Sequence, residues 1–200
     1  MLETLQQQFY LNFIAQDRWK FFVNGLRITL TVTVAALAIG IIFGTILAII
    51  RSMNDQLKPK FGESVASSIL VILDKLTKVY LTIIRGTPAV LQLMIMYFII
   101  FKASTNMMLA AILSFGLNSA AYVAEIIRGG IMAVDSGQME AGRSLGLGYF
   151  TVMRHIIVPQ AIKGILPALG NELITLLKET SISGFIGLSD LTRGANIVQG

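Results

Sequence analysis

Residues 140–159, EAGRSLGLGYFTVMRHIIVP, decide how this chain is read. Gly142, Gly146 and Gly148 break the stretch, and Glu140, Arg143 and Arg154 charge it, between two long apolar segments. Asp135 and Ser136, just upstream, are candidate N-caps for a short helix beginning near Gly137, because their side-chain oxygens can accept the open N–H groups of a first turn. Gly146 and Gly148 stop that helix, since glycine takes the left-handed conformation of a helix end without a steric penalty. A second short helix is expected over 149–158, with Phe150, Met153 and Ile157 on one face. Pro159 ends it, because the residue before a proline is pushed out of the helical region. The expectation is a helix-turn-helix elbow with an apolar face, a shape suited to a groove on a partner protein.

The surroundings of the elbow are a membrane. Of 200 residues, 54% are hydrophobic and 14% charged, against about 25% charged in an ordinary soluble domain, and the mean hydropathy is +0.73. Cysteine is absent and His155 is the single histidine, so thiol chemistry, cysteine-ligated metals and a multi-histidine metal site within one chain are excluded. No bound cofactor or metal is expected. The net charge of +5 reads as membrane topology rather than nucleic-acid binding.

The fold class expected is all-α, a polytopic helix bundle. Residues 1–22 form an amphipathic segment at the membrane surface, with Leu2, Leu5, Phe9 and Phe13 at helical spacing and Trp19 near the interface. Spans are expected over about 26–50, 86–102, 103–127 and 163–180. In the first, 28–50 is uncharged and long enough for the roughly 30 Å hydrocarbon core. Ala36, Gly40, Gly44 and Ala48 recur on it every fourth residue, a stripe that lets another helix approach closely. Pro88 lies near the start of the second span, where a missing N–H costs little. Between these spans, 51–85 is expected to be a basic, mixed loop in which Asp74, Lys75 and Lys78 make 67–84 amphipathic rather than spanning. That loop holds six basic residues, Arg51, Lys58, Lys60, Lys75, Lys78 and Arg85; 125–163 holds four, and the 102–106 turn one. The positive-inside rule puts the first two in the cytoplasm and both chain ends outside.

Five stretches in order carry a resemblance: RGTPAVLQL (85–93), AYVAEIIRGGI (121–131), GQMEAGRSLGL (137–147), VPQAIKGILPALGN (158–171) and LLKETSISGFIGLSDL (176–191). Together with the opening stretch they resemble the ABC importer permeases for polar amino acids. The elbow is similar to their EAA loop, matched at Glu140, Ala141, Gly146, Ile156 and Pro159, with Gly142 where alanine is usual. The resemblance implies a permease subunit of the bacterial inner membrane that pairs with a second permease subunit, identical or paralogous. It implies a cytoplasmic ATPase dimer docked on the two elbows and an external binding protein that delivers a polar amino acid. Glu140, Ala141 and Gly146 would carry the coupling, with Gly142, Phe150, Ile157 and Pro159 shaping the docked surface. Family members continue past I-G-x-x-D-L into a fifth span. No apolar run of that length follows here before Gly200, so the sequence is expected to be a fragment or truncated product.

Nothing in the chain reads as a site of ATP hydrolysis. There is no G-x-x-x-x-G-K-[ST] loop, and GLGYF lacks a third glycine and a preceding strand. Polar groups inside spans are the other candidates, because they are expensive there. Gln92, Asn118, Asn171, Glu172 and Thr175 are candidate pathway residues. Glu172 could pair a cation, or it and the amides could simply bond neighbouring helices. Glu125 and Arg128 are expected to form an ion pair at a helix end. Lys178 and Glu179 are candidates for an external gate, Arg85 for an interfacial anchor, and His155 for a solvated or ATPase-contacting position. A secondary transporter would be expected to show an internal repeat with interrupted helices, and none is seen. A membrane enzyme would need converging titratable groups. A channel or scaffold subunit would not require the ordered elbow.

Overall fold

The computed structural model describes residues 2–61, 65–104 and 106–199. The side chains of Leu2, Leu5, Lys58 and Lys60 and the whole of Thr105 lie outside the described residues. Every regular element among the described residues is helical. In chain order these are α1 (Leu2–Phe9), α2 (Trp19–Phe61), α3 (Val65–Gly86), α4 (Ala89–Ile95), α5 (Met107–Met132), α6 (Ser136–Ser144), α7 (Tyr149–Val152), α8 (Val158–Glu179) and α9 (Leu191–Gln199). Wide π-type turns extend α1, α4 and α7, and a 3₁₀ segment, Thr180–Ile186, follows α8.

The described residues of the basic stretch 51–85 are helical rather than loop. Arg51 charges the chain but does not stop α2, which runs on to Phe61, and α3 fills most of the remainder. The physical reason is that a charge ends an apolar run, whereas a helix ends at glycine, proline or a competing cap, and residues 51–58 contain neither glycine nor proline. The uncharged stretch 103–124 begins as a turn, and its helix starts at Met107. Pro88 is the N-cap of α4, with ψ 136, the extended geometry that suits a helix start. Among the described residues two helices are by themselves long and apolar enough to cross a membrane, Ala15–Asp55 and Met107–Met132. Ser67–Gly86 and Ala89–Ile100, separated by a break at Thr87 and Pro88, reach that standard only together. Helix α8, the expected fourth span, does not reach it alone.

The chain divides into two compact units. One holds Met1–Ala36, Pro88–Phe115 and Thr175–Gly200; the other holds Leu37–Thr87 and Gly116–Ile174. In the first, α2 and α9 meet through two glycines. A Cβ on Gly25 would lie 2.6 Å from the Asp190 carbonyl oxygen, and one on Gly194 2.7 Å from that of Phe21. Buried Asp190 caps α9 by accepting from the N–H groups of Thr192 and Arg193, each at 3.1 Å. In the second unit, α2 and α5 close on each other where Gly40 and Gly44 sit. Cβ atoms there would meet Ser119 Oγ at 2.6 Å and Val123 Cβ at 2.7 Å, so the backbones approach as small residues allow. Ala48 is fully buried in this unit, and Ala36 is fully buried in the first. Leu81 of α3 packs with Ala121 and Ala124 of α5 and Leu47 of α2.

Candidate functional site: a capped elbow and a polar node

The elbow is built from caps. Asp135 precedes α6 and its Oδ1 accepts from the Gly137 N–H at 2.7 Å. At the far end Leu145 is the C-cap and Gly146 stands at φ +83. The Gly146 N–H donates to the Arg143 carbonyl at 2.9 Å, and the Leu147 N–H to the Gly142 carbonyl at 3.2 Å. That paired pattern is the Schellman closure of a helix, which needs a left-handed residue at the position of Gly146. Gly148 plays a different part from the one expected: it is extended, with φ −67 and ψ 156, and serves as the N-cap of α7.

Pro159 does not end the second helix. The backbone stays helical through Val158, with φ −59 and ψ −44, and passes directly into α8. The wide turn Met153–Ile157 closes with the Val158 N–H on the Met153 carbonyl. Pro159 then falls in the first turn of α8, where its missing donor costs little.

The two arms touch at Gly142. A Cβ there would lie 2.7 Å from Val152 Cγ2 and 3.4 Å from Ile156 Cδ1, so the close approach uses Gly142, and Ala141 faces outward. Ile157 is buried, whereas Phe150, which the sequence reading places on the same face, is 69% exposed. Leu145 is 80% exposed, Leu147 is exposed too, and Glu140 and Pro159 are exposed. An elbow of this kind offers solvent an apolar tip, Leu145 to Phe150, beside the charges of Glu140 and Arg143. A cleft of about 460 Å³ runs along its inner side, lined by Ile131, Met139, Glu140, Arg143 and Tyr149. Burial pushes the Tyr149 hydroxyl above its ordinary pKa, and the Ser52 hydroxyl opposes that shift. His155 sits exposed, its Nδ1 3.1 Å from the Thr151 carbonyl oxygen.

Of the polar residues expected in the membrane, Glu172 and Asn118 are buried, Gln92 is partly buried, and Asn171 and Thr175 are exposed. The Ser119 hydroxyl donates to Glu172 Oε1 at 2.7 Å, joining α5 to α8. Ser119 is also the residue that Gly40 abuts, so α2 and α8 both meet α5 at Ser119.

A second polar cluster joins residues that lie far apart in the sequence. Arg51 and Asn54 of α2 meet Asp74 of α3, with Asn54 Nδ2 donating to Asp74 Oδ2 at 3.0 Å and Arg51 Nε 3.9 Å from Asp74 Oδ1. Arg51 also pairs with Glu125 of α5, and Lys78 Nζ lies 2.7 Å from Asp74 Oδ2. The expected Glu125–Arg128 pair is present but long, 3.8 Å, and Arg128 also faces Asp55 at 3.6 Å. Glu125 is thus shared among helices rather than closed on its own helix. In the sequence Asp74 is an interruption of an apolar run. Its buried setting could have been suspected because it sits four residues before Lys78 inside that run.

Comparison with known proteins places this architecture. Residues 61–199 match the family described as binding-protein-dependent transport system inner membrane component. The chain is 43% identical over 178 residues to an arginine transport permease of Bacillus subtilis, covering 88% of this chain and 74% of that one. It is 39% identical over 181 residues to a Rickettsia prowazekii protein named for glutamine transport, covering 89% and 76%. A crystal structure described as an amino acid ABC transporter with histidines superposes with a TM-score of 0.77 at 41% identity, covering 90% of this chain and 78% of that one. On this evidence the chain belongs to the family of binding-protein-dependent transport system inner-membrane components, the permease subunits of ABC importers.

Proposed function

We propose that this chain forms, with a second permease subunit, the membrane pathway for uptake of a polar amino acid. ATP is hydrolysed by a separate ATPase pair docked on the elbows, and an external binding protein delivers the cargo. Relatives named for arginine and glutamine transport support that cargo class. The observation that carries the docking assignment is the elbow itself. A Schellman-closed turn holds Leu145, Leu147 and Phe150 out in solvent, and an apolar tip kept exposed by a rigid cap is what a partner groove recognises. On this reading the elbow and the basic segments of α2 and α3 face the cytoplasm and the N-terminus lies outside. Glu172 and Asn118 lie along the pathway, with Gln92, Asn171 and Thr175 as further lining positions.

The test is co-purification in detergent of the chain with the ATPase encoded beside it, comparing wild type with Phe150→Glu and Gly146→Pro. Phe150 is exposed, so its substitution leaves the fold intact. The expected result is recovery of the ATPase with wild type and its loss from both variants. Equal recovery with all three would remove the elbow from the docking surface.

A further inference from the structure

We infer that the apolar groove between α2, α5, the elbow and the start of α8 holds an acyl chain of an anionic phospholipid, whose phosphate is met by Arg154 and Lys163. The inference goes beyond uptake and stands apart from the cargo assignment. The groove has a volume of about 540 Å³, within the range of about 300–1,000 Å³ usual for a ligand cleft. Ile49, Met53, Ile131, Met153 and Ile165 line it, and none of its lining residues is charged.

The floor of the groove is closed and its mouth is open. Gly130 of α5 leaves no room for a Cβ against Ile165 of α8, and Ser52, Ala161 and Ile165 are buried. Ile49, Ile162 and Phe150, which also line it, are exposed. The groove lies at a definite level of the membrane. The uncharged run of α2 ends at Ile50, and the α2 residues in the groove, from Thr45 to Met53, straddle that end. Hydrocarbon gives way to headgroups at such a boundary, so the apolar molecule at hand there is a lipid tail. A tail in the groove would touch α2, α5 and α8 on one side and Tyr149 and Met153 on the other, bracing the elbow against the bundle.

The polar features of the groove suit an anionic headgroup. Ser52 and Tyr149 bring two hydroxyls together in its wall, donors for a glycerol or ester oxygen. Arg154 follows Met153 in the chain, and Lys163 follows Ile162, so each cation borders a lining residue. Both are exposed, and among the described residues neither meets a carboxylate within ion-pair distance. Their long apolar stems let the charged ends reach the headgroup level, where a guanidinium and an ammonium both bind phosphate. The other nearby cations are taken: Arg51 pairs with Glu125, and Arg128 faces Asp55 and Glu125. The charge left over at the mouth is positive, which selects an anionic over a zwitterionic lipid.

The experiment is photolabelling of the permease–ATPase complex in phosphatidylcholine nanodiscs. The probes are phosphatidylglycerol and phosphatidylcholine that carry the same diazirine-bearing acyl chain, each at the same low mole fraction. Labelled peptides are mapped by mass spectrometry and normalised to α3, whose exposed Ile69, Ile72, Leu76 and Val79 accept any lipid. In wild type the phosphatidylglycerol probe is expected to label residues 49–53 and 153–165 roughly 25-fold more than the phosphatidylcholine probe, the combined weight of two basic residues at an anionic headgroup. Arg154→Gln and Lys163→Gln are each expected to lower that preference about fivefold. Ile162→Trp, which fills the mouth, is expected to remove the label from the groove and leave it on α3. Equal labelling of the groove by the two probes overturns the proposal, since it shows unselective bilayer lipid only. Labelling of α3 without the groove also overturns it, since another chain then fills the space. A preference unchanged by both Arg154→Gln and Lys163→Gln overturns it as well. The wild-type comparison of the two probes decides by itself where a variant does not fold.

Discussion

Helices α2 and α5 are joined twice, by opposite means. At Gly40 and Gly44 the contact is dry and made by absence: no side chain stands between the backbones, and Ser119 and Val123 fill the space. About two turns further along, at Arg51 and Asp55, the same pair is joined by charges, with Glu125 and Arg128 on α5 and Asp74 drawn in from α3. The seam of small residues tolerates neither bulk nor separation, because close packing falls off within about an ångström. The node tolerates some separation, because ionic attraction falls off slowly, but it tolerates no missing partner. A helix pair built this way can be rigid at one level and adjustable at the other.

The comparison breaks hardest at Asp74. Asp74→Ala removes a buried carboxylate that Arg51, Asn54 and Lys78 face, and unpairing a buried charge costs about 3–5 kcal/mol. The expected outcome is a large fall in the detergent melting temperature with loss of most folded yield. Next is Gly44→Leu, whose first side-chain atom would already lie 2.8 Å from Val123 Cγ1 and 2.9 Å from the Ala120 carbonyl oxygen; overpacking of this kind costs about 1–3 kcal/mol. The two variants should differ in salt. Molar salt screens charges at about 3 Å, so it should lower the melting temperature of wild type and of Gly44→Leu alike. Asp74→Ala, its node already broken, should respond less. A smaller effect is expected at the elbow, where Gly146→Ala forces a side chain into φ +83 at about 1–2 kcal/mol, read as a modest melting shift. The smallest is Lys78→Met, whose half-exposed pair with Asp74 is worth at most about 1 kcal/mol.

Parts of this were legible because one residue type forces one geometry. Asp135 caps α6, and Gly146 takes the left-handed position, for reasons local to a few residues. Gly40 and Gly44 stand out by their fourfold spacing. Other features depend on what lies far away in sequence. Gly25 and Gly194 are required by each other's neighbours, Asp190 and Phe21, and nothing near either glycine announces that. Asp74 reads as a polar blemish until Arg51 and Asn54 are placed beside it. Pro159 is ambiguous in sequence, since proline marks the end of one helix and the start of the next equally well; the wide turn before it removes the need for a break. The length of α2 is hidden in the sequence because the charge at Arg51 bounds only the apolar run, and the helix continues to Phe61.

The central claim is that this chain moves cargo only when an ATPase works through its elbow. The direct measurement is uptake of labelled glutamine, arginine or histidine into proteoliposomes that contain this permease, its partner subunits and the cognate binding protein. The account predicts uptake of at least one of these that requires ATP and the binding protein together, and that Phe150→Glu abolishes. Uptake at the same rate without ATP, or unchanged by Phe150→Glu, would contradict it.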